Sequence, residues 1–177
     1  MNQPGGMRPI YDPRAVQPMR EELVNVGFRE LTTAEEVDGT FSKDAKGTTL
    51  LVINSVCGCA AGGARPGVMM ALQNAKIPDN LVTVFAGQDR EATERARSHL
   101  EGVPPSSPFI ALFKDGSIVG VLERQHIEGR HPTDIAQALA NAFNEHCERA
   151  GPSIPREELE KMTPIQACGS SIPKFDE

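Results

Sequence analysis

Cys57-Gly58-Cys59 places two thiols with a single residue between them. The strand-like run Thr48-Thr49-Leu50-Leu51-Val52-Ile53 precedes them, and the small residues Ala60-Ala61-Gly62-Gly63-Ala64 follow and lead into a helix. At such a turn the pair reads as a reversible disulfide rather than a structural staple. A bridge across one residue closes an unusually small ring, and disulfide geometry accumulates strain quickly when it deviates. A helix N-terminus also turns unpaired N–H groups and a partial positive charge toward the thiols, which favours a thiolate and lowers its pKa. Cys57, nearer the strand end, is the expected nucleophile and Cys59 the second sulfur. The competing readings are two inert thiols or a metal clip, a non-catalytic module in which the pair captures copper or zinc. A C-x-C alone lacks the four ligands of a structural zinc site, and His99, the nearest histidine in sequence, is forty residues from Cys59. Redox chemistry is therefore favoured, with no bound metal or cofactor expected.

Around the pair, Asn54, Ser55 and Gly58 are the candidates for capping the helix or supporting a thiolate, although Asn and Ser are equally ordinary turn residues. Arg65 lies on the helix beyond the thiols and reads either as an attractor of anionic groups or as a solvated surface charge. Gly62 and Gly63 fit close approach of a substrate backbone or close helix packing. Arg124, His126, Glu128, Arg130 and His131 form a polar cluster read as a loop. His146 and Cys147 read as packed residues of the last long helix, and Cys168 as a spare or regulatory thiol in a proline-containing tail.

The chain has 177 residues, 39% of them apolar, which suits one domain with a real core and a tail. A net charge of -6 without a dense basic run lacks the long-range attraction to phosphate that nucleic-acid binders use, so no nucleic-acid partner is expected. No apolar stretch approaches the length that spans a bilayer, and Met1 to Ile10 lacks the pattern of a signal peptide. The expectation is a soluble cytoplasmic protein that does not enter membranes, its four cysteines reduced at rest. Composition leaves the oligomeric state open.

Met1 to Pro13 reads as a flexible lead with little chemistry. Met19, Leu23 and Val26 recur at helical spacing from Pro18, with Gly27 placed to end that helix. Thr33 with Glu36 has the capping-box pattern and opens a short helix to about Phe41. Thr48 to Ile53 reads as a central strand buried on both faces. Val68, Met69, Leu72 and Ala75 give a helix ending before Pro78, Leu81 to Phe85 a second strand, and Asp89 to Leu100 a second helix with Asp89 as N-cap. Phe109 to Phe113 and Ile118 to Leu122 form a hairpin across Asp115-Gly116. Thr133 or Asp134 caps a helix to about Cys147, and Arg156 to Met162 alone could be helical in the tail.

This β-α-β-α-β-β-α order, with the cysteine pair after the first central strand and Pro108 just before the hairpin, resembles the thioredoxin fold. The resemblance implies an α/β domain over 14–150: a central mixed sheet with helices on both faces, an N-terminal helical extension, and a C-terminal tail over 151–177. In that fold the loop at Ser107-Pro108 begins with a cis-proline, lies opposite the thiols and offers backbone groups to a substrate chain. Asn54-Ser55-Val56-Cys57-Gly58-Cys59-Ala60-Ala61-Gly62, Val82 to Asp89, Pro105-Ser106-Ser107-Pro108 and Ile127-Glu128-Gly129 are similar to the bacilliredoxin family, over about Met19 to Cys147. That resemblance implies thiol–disulfide exchange at Cys57 and Cys59, with bacillithiol as low-molecular-weight cosubstrate removed from S-thiolated client proteins, and weak disulfide isomerisation. Ser107, Pro108 and Arg65 would then bind substrate, Arg65 through the malate carboxylates of bacillithiol. The chain departs from thioredoxin in having no Trp and only one residue between its cysteines.

Overall fold

Seven residues, Thr48–Asn54, all buried, form the strand around which everything else is arranged. A computed structural model describes residues 6–162 and 172–175. In chain order the elements are α1 (Pro13–Val24), β1 (Arg29–Glu30), α2 (Ala34–Thr40), β2 (Thr48–Asn54), a π-helical turn (Ala60–Ala64) continuing into α3 (Arg65–Ala71), β3 (Lys76–Ile77), β4 (Asn80–Phe85), α4 (Arg90–Ser98), β5 (Phe109–Lys114), β6 (Ser117–Leu122), α5 (Arg124–Ile127), α6 (Pro132–His146), β7 (Arg149–Ala150) and α7 (Arg156–Glu160). The main sheet runs β1-β4-β2-β5-β6. β4 is parallel to both β1 and β2, whereas β5 is antiparallel to β2 and to β6. This is the mixed, thioredoxin-like α/β sheet that the element order implies.

Alternation along β2 divides the core. Leu50 and Val52 join Ile110, Leu112, Val68, Ile135 and Phe143 on one face, while Leu51 and Ile53 join Val82, Val84, Ala92, Ala96 and Phe113 on the other. Replacing either Leu50 or Leu51 by Ala would open a cavity at a cost of about 2 to 5 kcal/mol. α3 and α6 approach closely because Gly67 has no side chain: a Cβ there would lie 2.7 Å from Ile135 Cγ2. The hairpin turn has φ of 48° at Asp115 and 81° at Gly116, the left-handed pair that matches strand twist. The capping box is formed as its spacing requires, with Glu36 N–H donating to Thr33 Oγ1 and Thr33 N–H donating to Glu36 Oε2.

Several local expectations are corrected by packing. The first helix begins at Pro13 and carries Pro18 within it. Asp89 occupies the N-cap position of α4 without capping it, because its carboxylate accepts two 2.8 Å bonds from Arg20 on α1. α6 is capped by His131, whose ring accepts from Thr133 N–H, rather than by Thr133 or Asp134. α3 stops at Ala71, and the segment expected to continue it instead makes β3, which pairs with β7. The polar cluster after the hairpin contains a helical turn, α5, with Glu123 N–H donating to His126 Nδ1. The lead is tied down: Ile10 N–H donates to Gly87 O at 2.7 Å, Tyr11 exchanges two bonds with Gln88, and Tyr11 bridges to Lys174 of the tail. The beginning of the tail packs on the domain, Ser153 N–H donating to Leu72 O at 3.0 Å. Cys168 lies outside the described residues. No helix among the described residues is long and apolar enough to cross a membrane.

Candidate active site

Register brings the sequence-distant parts of the site to one edge of the sheet. Asn54 ends β2 opposite Phe85 of the parallel β4, and Ile53 faces Phe109, the first residue of the antiparallel β5. The loops carrying Cys57, Ala86 and Gly87, and Ser107 therefore emerge together, at the carboxyl end of the parallel strands, the usual position of a ligand crevice in such sheets. The Ser107–Pro108 peptide bond is cis. Pro108 is buried, and Ser107 lines a cleft of about 410 Å³ together with Cys57.

Cys57 and Cys59 are both half-buried free thiols, their sulfurs 3.0 Å apart and in hydrogen-bond contact. Ser55 is a thiolate donor rather than a bland turn residue: its Oγ–H donates to Cys57 Sγ at 3.0 Å while its oxygen accepts from Cys57 N–H at 3.2 Å. Burial, the largest single influence, pushes the Cys57 thiol up. Hydrogen bonds from Cys59, Ser55 and the Ala60 N–H, together with the Arg124 charge, overcome it and hold the thiol below its ordinary value. Cys59 goes the other way, pushed up to about 11 by burial and by the hydrogen bond and negative charge of Cys57. Of the two sulfurs Cys57 is therefore the more readily ionised, and Cys59 is the neighbour that holds its proton more tightly.

The backbone after the pair is widened. A π-helical turn spans Ala60–Ala64, with Arg65 N–H donating to Ala60 O, and Pro66 follows directly. Proline cannot donate and its ring crowds the carbonyl four residues back, so an added residue in the turn relieves the conflict and leaves the helix intact. Of the two small residues in this turn, Gly63 serves packing, since a Cβ there would sit 3.3 Å from Ile127 and Ile135, whereas Gly62 faces open space.

Arg65 is the main correction to the sequence reading. It is neither a solvated charge nor exposed to a substrate, with no accessible surface at all. Its Nε donates to Glu22 of α1 at 2.7 Å, and its Nη1 donates to Asn54 Oδ1 at 3.1 Å and Ser55 O at 2.9 Å. Asn54 in turn accepts from Ser55 N–H and donates through Nδ2 to Met19 O. Arg65 and Asn54 thus clamp the loop that presents Cys57 against α1. Nothing in a sequence marks this arginine as buried, because Glu22 is forty-three positions away.

The converse omission is Arg124. Read as part of a loop, it lines the cleft beside Cys57 and reaches Ser107 O at 3.5 Å. Ile10 and Tyr11 of the supposed lead line the same cleft, as do Arg90, Thr93 and Arg97 of α4. Cys147, by contrast, is 1% exposed in the core that α6 covers, and burial pushes its thiol up. Among the described residues no group of three or more His, Cys, Asp and Glu side chains is arranged to hold a metal ion.

A reduced cysteine pair with one stabilised thiolate, set at the end of the central strand of this sheet, defines a thiol–disulfide redox protein of the thioredoxin-like class. The family model described as disulphide isomerase matches residues 11–147. Bacilliredoxins of Bacillus licheniformis and Shouchella clausii are 55% and 54% identical over 138 and 139 residues, covering 77% and 78% of this chain and 95% of each relative. A bacilliredoxin of Salinibacter ruber is 49% identical over 164 residues, 92% of this chain and 95% of its own. The chain belongs to the bacilliredoxin family, and its function is thiol–disulfide redox chemistry.

Proposed function

We propose that this protein removes bacillithiol from mixed disulfides on client proteins in the cytoplasm, with disulfide isomerisation as a secondary activity. The observation that carries the reading is the asymmetry of the pair: Cys57 lines the cleft and accepts from Ser55 Oγ–H, with its thiol held down, while Cys59 touches it at 3.0 Å with its thiol pushed up. The names borne by the relatives and the family model support the same chemistry.

In the first step the Cys57 thiolate attacks the bacillithiol sulfur of the mixed disulfide. A Cys57–bacillithiol disulfide forms, the original S–S bond breaks, and the client leaves as thiolate and takes a proton from solvent. Adduct formation removes the negative charge and the hydrogen-bond acceptor on Cys57, two of the influences that raise Cys59. Cys59 therefore becomes more acidic when it is needed. Its thiolate attacks Cys57 Sγ, bacillithiol leaves with the electron pair, and the Cys57–Cys59 disulfide remains until two external thiols, which become joined as a disulfide, supply the two electrons that reduce it. A second small thiol can release the adduct in place of Cys59. Isomerisation uses the same first step on a client disulfide, reversed at a different client sulfur.

Intact-mass analysis of the protein mixed with a bacillithiolated client tests this. The reading requires free client thiol, and one bacillithiol on Cys57 in the Cys59→Ser protein. Failure of the wild type to release bacillithiol, or an adduct on Cys59 alone in Cys57→Ser with Cys57 unmodified in the wild type, would overturn it.

A further inference from the structure

The cleft beside Cys57 has a charge pattern that thiol exchange itself does not need. Arg90, Thr93 and Arg97 occupy one face of α4 at spacings of three and four residues, so all three side chains project the same way. All three line the cleft, and Arg124 faces them from α5, so three guanidinium groups meet a single carboxylate, that of Glu94. Two polar atoms on this face are buried without a hydrogen-bond partner among the described residues, Thr93 Oγ1 and Arg97 Nε. Thr93 is only 2% exposed. A buried donor left unpaired is costly, so its presence in a cleft marks where a ligand acceptor belongs. The other orphaned guanidinium nitrogen, Arg65 Nη2, lies in the clamp behind the loop, where the residue is fully buried.

The existing bonds of the cleft arginines are weak. Arg90 donates to Arg8 O at 3.4 Å, and Arg124 approaches Glu128 at 3.8 Å and Ser107 O at 3.5 Å. None of these is a short bidentate pair of the kind Arg95, on another face of the same helix, makes with Asp38 at 2.7 Å. Planar forks with free donors match carboxylates, and a cleft of about 410 Å³ is the size of a small-molecule site rather than of a flat protein interface.

We infer that Arg90, Thr93 and Arg97, with Arg124 opposite, form a carboxylate-recognition subsite that holds the acidic end of a low-molecular-weight thiol while its sulfur meets Cys57. This rests on the reading of Cys57 as acceptor of a small thiol and specifies what selects that thiol. Arg90, Thr93 and Arg97 are binding residues with no part in bond making, and the carboxylates of the small thiol, not those of a client surface, are what they hold.

The test compares Cys57 thiolation by bacillithiol disulfide, which carries carboxylates, with thiolation by neutral hydroxyethyl disulfide. A parallel arm asks whether free malate protects Cys57 from iodoacetamide. The wild type should prefer the anionic disulfide, with a preference that falls as salt rises, and malate should protect it. In Arg97→Gln and in Arg90→Gln/Arg97→Gln that preference should fall about ten-fold or more, as expected for loss of charge-assisted bonds, and malate protection should vanish. Arg97→Lys should retain part of both, and Arg95→Gln should behave as wild type. Equal losses with both disulfides, or an undiminished preference in the double variant, would overturn the subsite while leaving debacillithiolation intact. Malate protection that depends on Arg97, in a protein with no preference for bacillithiol disulfide, would keep the subsite and sink bacillithiol as its ligand. No preference and no protection would sink both.

Discussion

Two sets of arginines stand on opposite sides of the Cys57 loop, and they are built for opposite purposes. Behind the loop Arg65 is fully buried, and every bond it makes ends on the protein: Glu22, Asn54 and Ser55. In front of it Arg90, Arg97 and Arg124 line an open cleft with long bonds or none. A guanidinium placed in a dry site must be paired, and once paired it becomes a fixed strut. One left at a cleft keeps donors free for something that arrives. Rigidity behind the thiolate and unsatisfied charge in front of it are thus supplied by the same residue type under different solvation.

The largest effects belong to the sulfurs that both sets frame. Cys57→Ser should abolish exchange, whereas Cys59→Ser should still capture a small thiol and accumulate the adduct, read by intact mass. Persistence of exchange without Cys57 would place the chemistry elsewhere and empty the comparison of meaning.

The rear clamp can be broken directly. Arg65→Met removes the 2.7 Å charge-assisted bond to the buried Glu22 and the bonds to Asn54 and Ser55, and should lower the unfolding free energy by about 3 to 5 kcal/mol in urea titration, while adding Glu22→Met should restore part of it. Arg124→Gln, at a partly exposed site, should change stability by less than about 0.5 kcal/mol. Equal losses from the two single variants would erase the distinction between strut and cleft.

A smaller effect separates the two sides by pH. Only the thiolate reacts, so the rate of Cys57 alkylation rises with pH through its pKa and levels off above it. With the pKa depressed, the plateau should begin at lower pH than it would for the same thiol without these hydrogen bonds and the Arg124 charge. Ser55→Ala removes a direct hydrogen bond to the sulfur and should move the curve to higher pH. Arg124→Gln should move it in the same direction but less, because its charge is the weaker influence, and added salt should shrink that difference. A larger shift from Arg124 than from Ser55 would make the front arginine the main source of thiolate stability. The smallest effect is on the oxidised pair: the one-residue ring should give a potential above the roughly -270 mV of thioredoxin in thiol-buffer equilibration, and a markedly lower value would remove the strain argument.

Much of this protein was legible locally. The β-branched run of β2 is buried on both faces because nothing in it alternates with polar residues, and Thr33-x-x-Glu36 and Asp115-Gly116 act through neighbours in sequence. The cysteine pair was legible for the same reason, since its spacing and its place between a strand and a helix are local facts. The misreadings share the opposite property. Asp89 looks like a cap until Arg20, sixty-nine positions away, claims its carboxylate, and the Pro- and Gly-containing lead looks idle until Gly87 and Gln88 pin it beside the cleft.

By itself, then, the sequence determined the two sulfurs and the order of the central strands and helices, because these depend on periodicity, capping and chain proximity, while it left Ser55 open between a turn residue and a thiolate donor. Only the tertiary structure decided what surrounds those sulfurs and which arginines line the cleft beside them. Both depend on burial and on partners supplied by distant elements: Arg65 is sealed by α1, Arg90 and Arg97 are turned into the cleft by α4, and Arg124 is carried there by the turn after β6. Solvation is a property of the assembled fold, and the same guanidinium is a strut or a receptor according to whether water, and therefore a ligand, can reach it.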